Sequence, residues 1–221
     1  MTVQPARPVL QSTERTDPRP ARSRESILDA ALEHFLEHGY LASTVEAIAV
    51  RAHLAKRTVY NLFPTKEELF RAVIHRATET SERFVIERVQ TGIGEREVGE
   101  ELAALAVEHA RAVLAPRVVA TRRLLISESQ RFPELAIEYF ERVPSTVIRA
   151  IAARLERYDA LGLLSIRDSQ RAAEHFAYLV LGSTLDRALF TPGGIASNLI
   201  DSAATAGAGA FLRAYRAAYE K

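Results

Sequence analysis

An all-α fold is predicted from three features of the 221-residue sequence. Apolar residues recur at three- and four-residue spacings along most of the chain, no alternating period-2 run of useful length occurs, and glycine and proline separate segments of helix length. About nine helices are expected, near the upper number that short connections allow. They divide into an N-terminal helix-turn-helix group of three and a larger C-terminal helical bundle. With 48% apolar residues, a sizeable core can be buried. The formal net charge is only +1, so any basic binding surface must be local. The absence of cysteine excludes a disulfide scaffold and thiolate metal sites. No 18-residue apolar run and no apolar leader segment occur, so neither a membrane span nor a signal peptide is expected, and the cytoplasm is the predicted compartment.

Residues 1–22 are rich in Pro, Arg, Thr and Ser and read as a disordered tail; Arg15, Arg19 and Arg22 would suit a minor-groove arm. Ile27, Ala31 and Phe35, flanked by Leu28, Leu32 and Leu36, define the first amphipathic helix, with Gly39 as its C-cap. In Ser43-Thr44-Val45-Glu46 a serine stands three residues before a glutamate, a capping box that opens a short second helix carrying Val45, Ile48, Ala49 and Ala52. Val59, Leu62 and Phe63 form the apolar set of a third helix, which Pro64 stops. Thr65-Lys66-Glu67-Glu68 is a second capping box, and a long helix with Leu69, Val73 and Ala77 follows, down to a break at Gly92 and Gly94.

Val98, Leu102, Leu105 and His109 mark the next helix. Pro116 fits the first position of another, running through Ile126, and Pro133 opens a third, with a kink or restart expected at Pro144 and an end at Gly162. Asp168 caps a helix carrying Ala172, Phe176, Leu179, Val180 and Ser183. After the Pro192-Gly193-Gly194 loop, the last helix carries Leu199, Ala203, Gly207, Phe211 and Tyr215.

Three short helices within 45 residues, the second and third joined by a tight turn, suggest a helix-turn-helix, whose third helix enters the major groove of double-stranded DNA. Val59, Leu62 and Phe63 would hold that helix to its neighbours. Lys56, Arg57, Thr58, Tyr60 and Asn61 then lie off the buried face, a set suited to phosphate oxygens and base edges. Thr65 and Lys66 stand at the start of the following helix, where an anionic phosphate is favoured.

The stretch ILDAALEHFLEHGYLASTVEAIAVRAHLAKRTVYNLFPTKEELFRAVI, residues 27–74, resembles the TetR family of one-component bacterial regulators. The resemblance is carried by Phe35 and Gly39, by Thr44-Val45 with Ile48-Ala49, by Thr58-Val59-Tyr60 with Phe63, and by Lys66-Glu67 with Leu69. It continues more loosely over 122–190, in RLLISESQRFPELAIEYF and LGLLSIRDSQRAAEHF, toward the AcrR/AefR-like branch. The chain departs from the family in having His53 where glycine is usual and Ala55 where serine caps the third helix. The resemblance implies a DNA-binding domain over 23–65 and a ligand-binding and dimerisation domain over 66–221. It also implies a homodimeric repressor on a palindromic operator, released by a small, largely apolar inducer. Carried over by position, Thr44 would touch phosphate, Arg57, Thr58 and Asn61 would reach bases, and Tyr60 and Lys66 would grip the backbone. The rival reading is a helical interaction protein, or an activator that responds to no ligand.

No enzyme is expected, because Gly-x-Ser-x-Gly and P-loop patterns are absent. His34 and His38 are four apart, but no third ligand accompanies them, and Gly92-Ile93-Gly94 has no preceding strand. No cofactor or metal is expected. Polar and aromatic groups at inward bundle positions can orient a ligand, which nominates His109, Glu128, Phe132, Tyr139, His175 and Tyr178. The last two long helices carry small residues that allow close approach. The expected dimer interface is therefore Leu179, Gly182, Ser183, Leu185, Ala203, Ala204, Gly207 and Phe211.

Overall fold

A computed structural model of the chain describes residues 18–89 and 96–217, and over them the backbone forms ten helices. Arg15 and the Gly92 and Gly94 break lie outside the described residues, as does the side chain of Arg19. The helices are α1 (Pro18–Ala42), α2 (Val45–Arg51), α3 (Lys56–Leu62), α4 (Lys66–Val89), α5 (Val98–Val113), α6 (Pro116–Glu128), α7 (Pro133–Arg142), α8 (Pro144–Ala160), α9 (Ser169–Phe190) and α10 (Ser197–Tyr215). The only extended pairing among the described residues is an isolated bridge between Leu164 and Arg216. No helix among them is long and apolar enough to cross a membrane.

Prolines and glycines set the boundaries. Pro116, Pro133 and Pro144 each begin a helix, where a missing N–H leaves nothing unsatisfied. At Pro144 the chain restarts rather than kinks: Val143 (φ −107°, ψ −73°) is both the last cap of α7 and the first of α8. That restart belongs to the ten helices found where about nine were expected. The helical run of α1 breaks at Gly39 (φ 72°, ψ 172°), a backbone state that side chains resist. Asp168 caps α9 by accepting the Arg171 N–H at 2.9 Å. α1 starts at Pro18, inside the stretch expected to be a disordered tail.

The core has two parts. The first joins α1–α3 and the first half of α4 to the end of α6 and to α7: Ile27, Phe35, Ile48, Val59 and Phe70 pack with Leu124, Phe132, Leu135 and Tyr139. The second is built from α5, α8, α9 and α10 and centres on Leu102, Ile151, Leu155, Phe176 and Phe211. Here the sequence expectation needs a correction. Ala204, Gly207 and Phe211, expected at a dimer interface, are buried in the core of the chain itself. Gly207 lets α10 lie against the α9 backbone of its own chain; a Cβ there would stand 2.3 Å from the Leu179 carbonyl oxygen. Phe211 meets Phe176 edge-on at 5.2 Å. Leu179, Gly182 and Ser183 are exposed, Leu185 and Ala203 half-buried. Gly182 (φ 34°, ψ −132°) also breaks the helical geometry of α9, which its reading as a mere small residue did not foresee.

Candidate nucleic-acid interface

α2 opens at Thr44, not at Ser43. Thr44 has extended geometry and its Oγ1 accepts the Ala47 N–H at 3.2 Å. Ser43, expected to be the cap, is buried and donates its hydroxyl to the Gly39 carbonyl at 2.6 Å, an acceptor left open where Gly39 ends the helical run. Thr44 is exposed and uses its oxygen as an acceptor, so its hydroxyl proton remains available to a phosphate.

The turn to α3 closes by two backbone bonds, Leu54 N–H to Ala49 O at 3.0 Å and His53 N–H to Val50 O at 3.1 Å. This is the Schellman pattern, which needs a left-handed residue at its centre. His53 takes that place with φ 55°, the only non-glycine with positive φ among the described residues. It stands where glycine was noted as usual.

α3 has no side-chain cap, as Ala55 implies. Val59 and Phe63 are buried and Leu62 half-buried, which fixes the helix on α1 and α2. The opposite edge is open. Arg57 and Asn61, one turn apart, are exposed, and Arg57 has no ion pair or hydrogen bond among the described residues. Thr58 is half-buried and Tyr60 exposed. Lys56 is paired with Glu46 of α2 and sits 5.5 Å above the Tyr60 ring. That hydrogen bond favours both charged forms, holding the carboxyl of Glu46 low and the Lys56 ammonium high. The Arg24 guanidinium lies 4.8 Å over Phe63, so the start of α1 borders the end of α3.

Lys66 departs from its expected role. Its Nζ donates to the carbonyls of Tyr40 at 2.9 Å, Ser43 at 3.0 Å and Leu41 at 3.3 Å, and lies 4.4 Å over the Tyr40 ring. An ammonium has three donors. With those bonds in place none is left for a phosphate, and Lys66 instead caps the end of α1. Thr65 does cap α4, accepting the Glu68 N–H at 3.1 Å.

The six residues nominated for a ligand are not brought together. Phe132 is in the core of the N-terminal unit. His175 is exposed and bonds the Tyr215 hydroxyl at 2.6 Å; Tyr178 is exposed on α9. Glu128 pairs with Arg131 at 3.3 Å. His109 is buried on α5, its Nε2 has no hydrogen-bond partner among the described residues, and burial, aided by Arg122, pushes its pKa down to about 4. Tyr139 alone lines a groove of about 530 Å³ between α1, α4, α6 and α7, whose other walls include Leu32, Ala77, Val118, Thr121 and the Arg76 guanidinium. Arg76 is bonded there to Glu25 at 2.8 Å and Asp29 at 2.5 Å.

A buried polar network was missed. The Tyr158 hydroxyl donates to Glu101 at 2.5 Å and accepts from Arg154 Nε at 2.9 Å, tying α5 to α8. Burial, then the bond to Glu101, pushes the Tyr158 hydroxyl up to about 12. The signal was present: Glu101 falls between Val98 and Leu105, and Arg154 between Ile151 and Tyr158, at the spacing of the buried face.

A seven-residue helix with an exposed polar edge, held by a Schellman turn to a second short helix and mounted on a larger α-helical bundle, defines a helix-turn-helix DNA-binding regulator. The chain belongs to the TetR family. Its residues 27–73 match the model of bacterial regulatory proteins of the tetR family, and residues 100–217 match the AefR-like transcriptional repressor C-terminal domain. A crystal structure of a regulator assigned to this family from Mesorhizobium loti superposes with a TM-score of 0.80 at 26% identity, over 90% of this chain and all of that one. The flavonoid-responsive regulator FrrA superposes at 0.62 with 30% identity, over 89% of this chain and 98% of its own. The transcriptional repressor BepR of Brucella suis is 36% identical over 73 residues, 33% of this chain and 35% of BepR. Other curated regulators match over about a quarter of their length.

Proposed function

We propose that the protein is a transcriptional repressor that binds a palindromic operator as a homodimer and leaves it when a small, largely apolar ligand binds. The observation that carries this reading is the open edge of α3. Arg57 and Asn61 project from a helix whose other side is locked by Val59 and Phe63, so the reading groups stand on a rigid platform. Arg57 suits guanine, Asn61 adenine and Thr58 a base edge, while Thr44 and Tyr60 suit phosphate oxygens and Lys56 reaches either after exchanging Glu46. Arg22, exposed at the start of α1, extends the same side. Ligand response is supported by FrrA, which is flavonoid-responsive, and repression by BepR. The homodimer would use the exposed part of α9, with Tyr178, Leu179, Gly182 and Ser183, together with Leu199 on α10.

The test is selection and sequencing of genomic fragments bound by the purified protein, with sedimentation at micromolar concentration. Enriched sites with two half-sites roughly one helical turn, 34–36 Å, apart and a dimer in the centrifuge are expected. No enrichment, or a monomer, would overturn the reading.

A further inference from the structure

Phe132 stands at the corner between α6 and α7, in the C-terminal half of the chain, yet its ring lies among those of the N-terminal unit. Its centroid is 5.0 Å from Tyr40 and 5.0 Å from Phe70, and Phe70 meets Phe35 edge-on at 5.1 Å. All four rings are buried. The Arg71 guanidinium covers Phe132 at 5.3 Å and is bonded to Glu134 of α7 as well as to Glu67 of its own helix. One turn further along, His75 of α4 lies 3.1 Å from Glu138 of α7.

These contacts lead to the start of α2, on which α3 packs. Tyr40 touches Phe132 with its ring and offers its carbonyl to Lys66; the same ammonium bonds the Ser43 carbonyl, one residue before the cap of α2. In a close-packed core no member of such a chain moves without its neighbours. Beside the ring, the Arg71–Glu134 ion pair and the His75–Glu138 contact hold α7 along α4.

We propose that Phe132 is a positioning residue for DNA reading. The α6–α7 corner is a non-covalent strut that sets α2 and α3 relative to the C-terminal bundle, beside the covalent path through α4. Its consequence at DNA rests on the proposed DNA reading; the strut itself does not.

The experiment compares full-length wild type, Phe132→Ala, Phe132→Leu and Phe176→Ala, the last an equally buried ring in the bundle core. Amide hydrogen exchange is followed by mass spectrometry, and a selected duplex competes against a scrambled one. Phe132→Ala should speed exchange about tenfold over residues 40–48 and 63–70 and reduce discrimination between duplexes by a similar factor. Phe132→Leu should recover most of both, and it carries the comparison should the alanine variant not fold. Phe176→Ala should leave those segments at wild-type rates. The proposal is overturned if Phe132→Ala speeds exchange only over residues 129–143, or if it and Phe176→Ala loosen all helices alike. Should the wild type select no duplex, the DNA reading fails while the exchange comparison still decides the strut.

Discussion

Gly207→Ala sets one methyl group against the backbone of a neighbouring helix. Its Cβ would lie 2.3 Å from the Leu179 carbonyl oxygen, 2.6 Å from that carbonyl carbon and 2.8 Å from the Val180 Cα. All three are main-chain atoms, so no side chain can turn aside. Relief requires α9 and α10 to part by about 1 Å, which opens a gap along the Phe176–Phe211 contact. Overpacking of this kind costs about 1–3 kcal/mol, and alanine's better helix propensity returns about 0.5–1 kcal/mol. The net loss of about 1–2 kcal/mol should lower Tm by about 2–8 °C in a chain of this size. Gly209→Ala, two residues along the same helix, is the control. Its nearest neighbour would be the flexible Arg213 guanidinium at 3.5 Å, so only the propensity gain remains and Tm should rise by about 1–4 °C. Scanning calorimetry of both variants decides the matter. If Gly207→Ala raises Tm as Gly209→Ala does, α10 does not lie on α9 as described.

Three further outcomes follow from particular residues. His53→Gly should raise stability by about 1 kcal/mol in urea titrations, because glycine accepts the left-handed turn that histidine resists; a loss would mean that the His53 side chain contributes more than its strain costs. His109 is held neutral, its folded pKa depressed below 6.5, so its contribution is complete above pH 6.5 and is lost as the pH falls toward 4. His109→Leu should therefore gain about 2 kcal/mol on the wild type between pH 7.5 and 5, the carboxylates and other histidines cancelling in the comparison; parallel pH profiles would contradict a buried neutral ring. Lys66→Met keeps the apolar stem but removes three bonds to carbonyls, and unfolding free energy should drop by about 1.5–3 kcal/mol. The salt slope of DNA binding should stay unchanged, whereas loss of a phosphate contact would reduce it by about one.

Local periodicity made the helices legible from sequence, whereas the core that joins α1–α4 to Leu124, Phe132, Leu135 and Tyr139 crosses the division expected at residue 65. Gly39, Pro64 and Pro133 end or begin helices where their own chemistry demands. Two adjacent hydroxyls blurred the start of α2: Ser43 and Thr44 both suit a cap, and only the position of the Gly39 carbonyl tells them apart. Long-range packing was the harder matter. Phe132 is separated by about 60 to 90 residues from the rings it joins, so nothing in its own helix marks it as part of the N-terminal core. A small residue such as Gly207 reads equally well as an approach point within a protomer or between two. The exposed edge of α3 was legible because its pattern is local, with Val59 and Phe63 on one side and Arg57 and Asn61 on the other.

The most direct measurement of the central claim is a base-preference profile, obtained by binding and sequencing a library of duplexes with wild type and Arg57→Ala side by side. The account predicts that Arg57→Ala keeps the site and its symmetry but loses preference at one position in each half-site, a cost of about 1–3 kcal/mol there. Equal loss of affinity for specific and random duplexes, with the profile unchanged in shape, would contradict it.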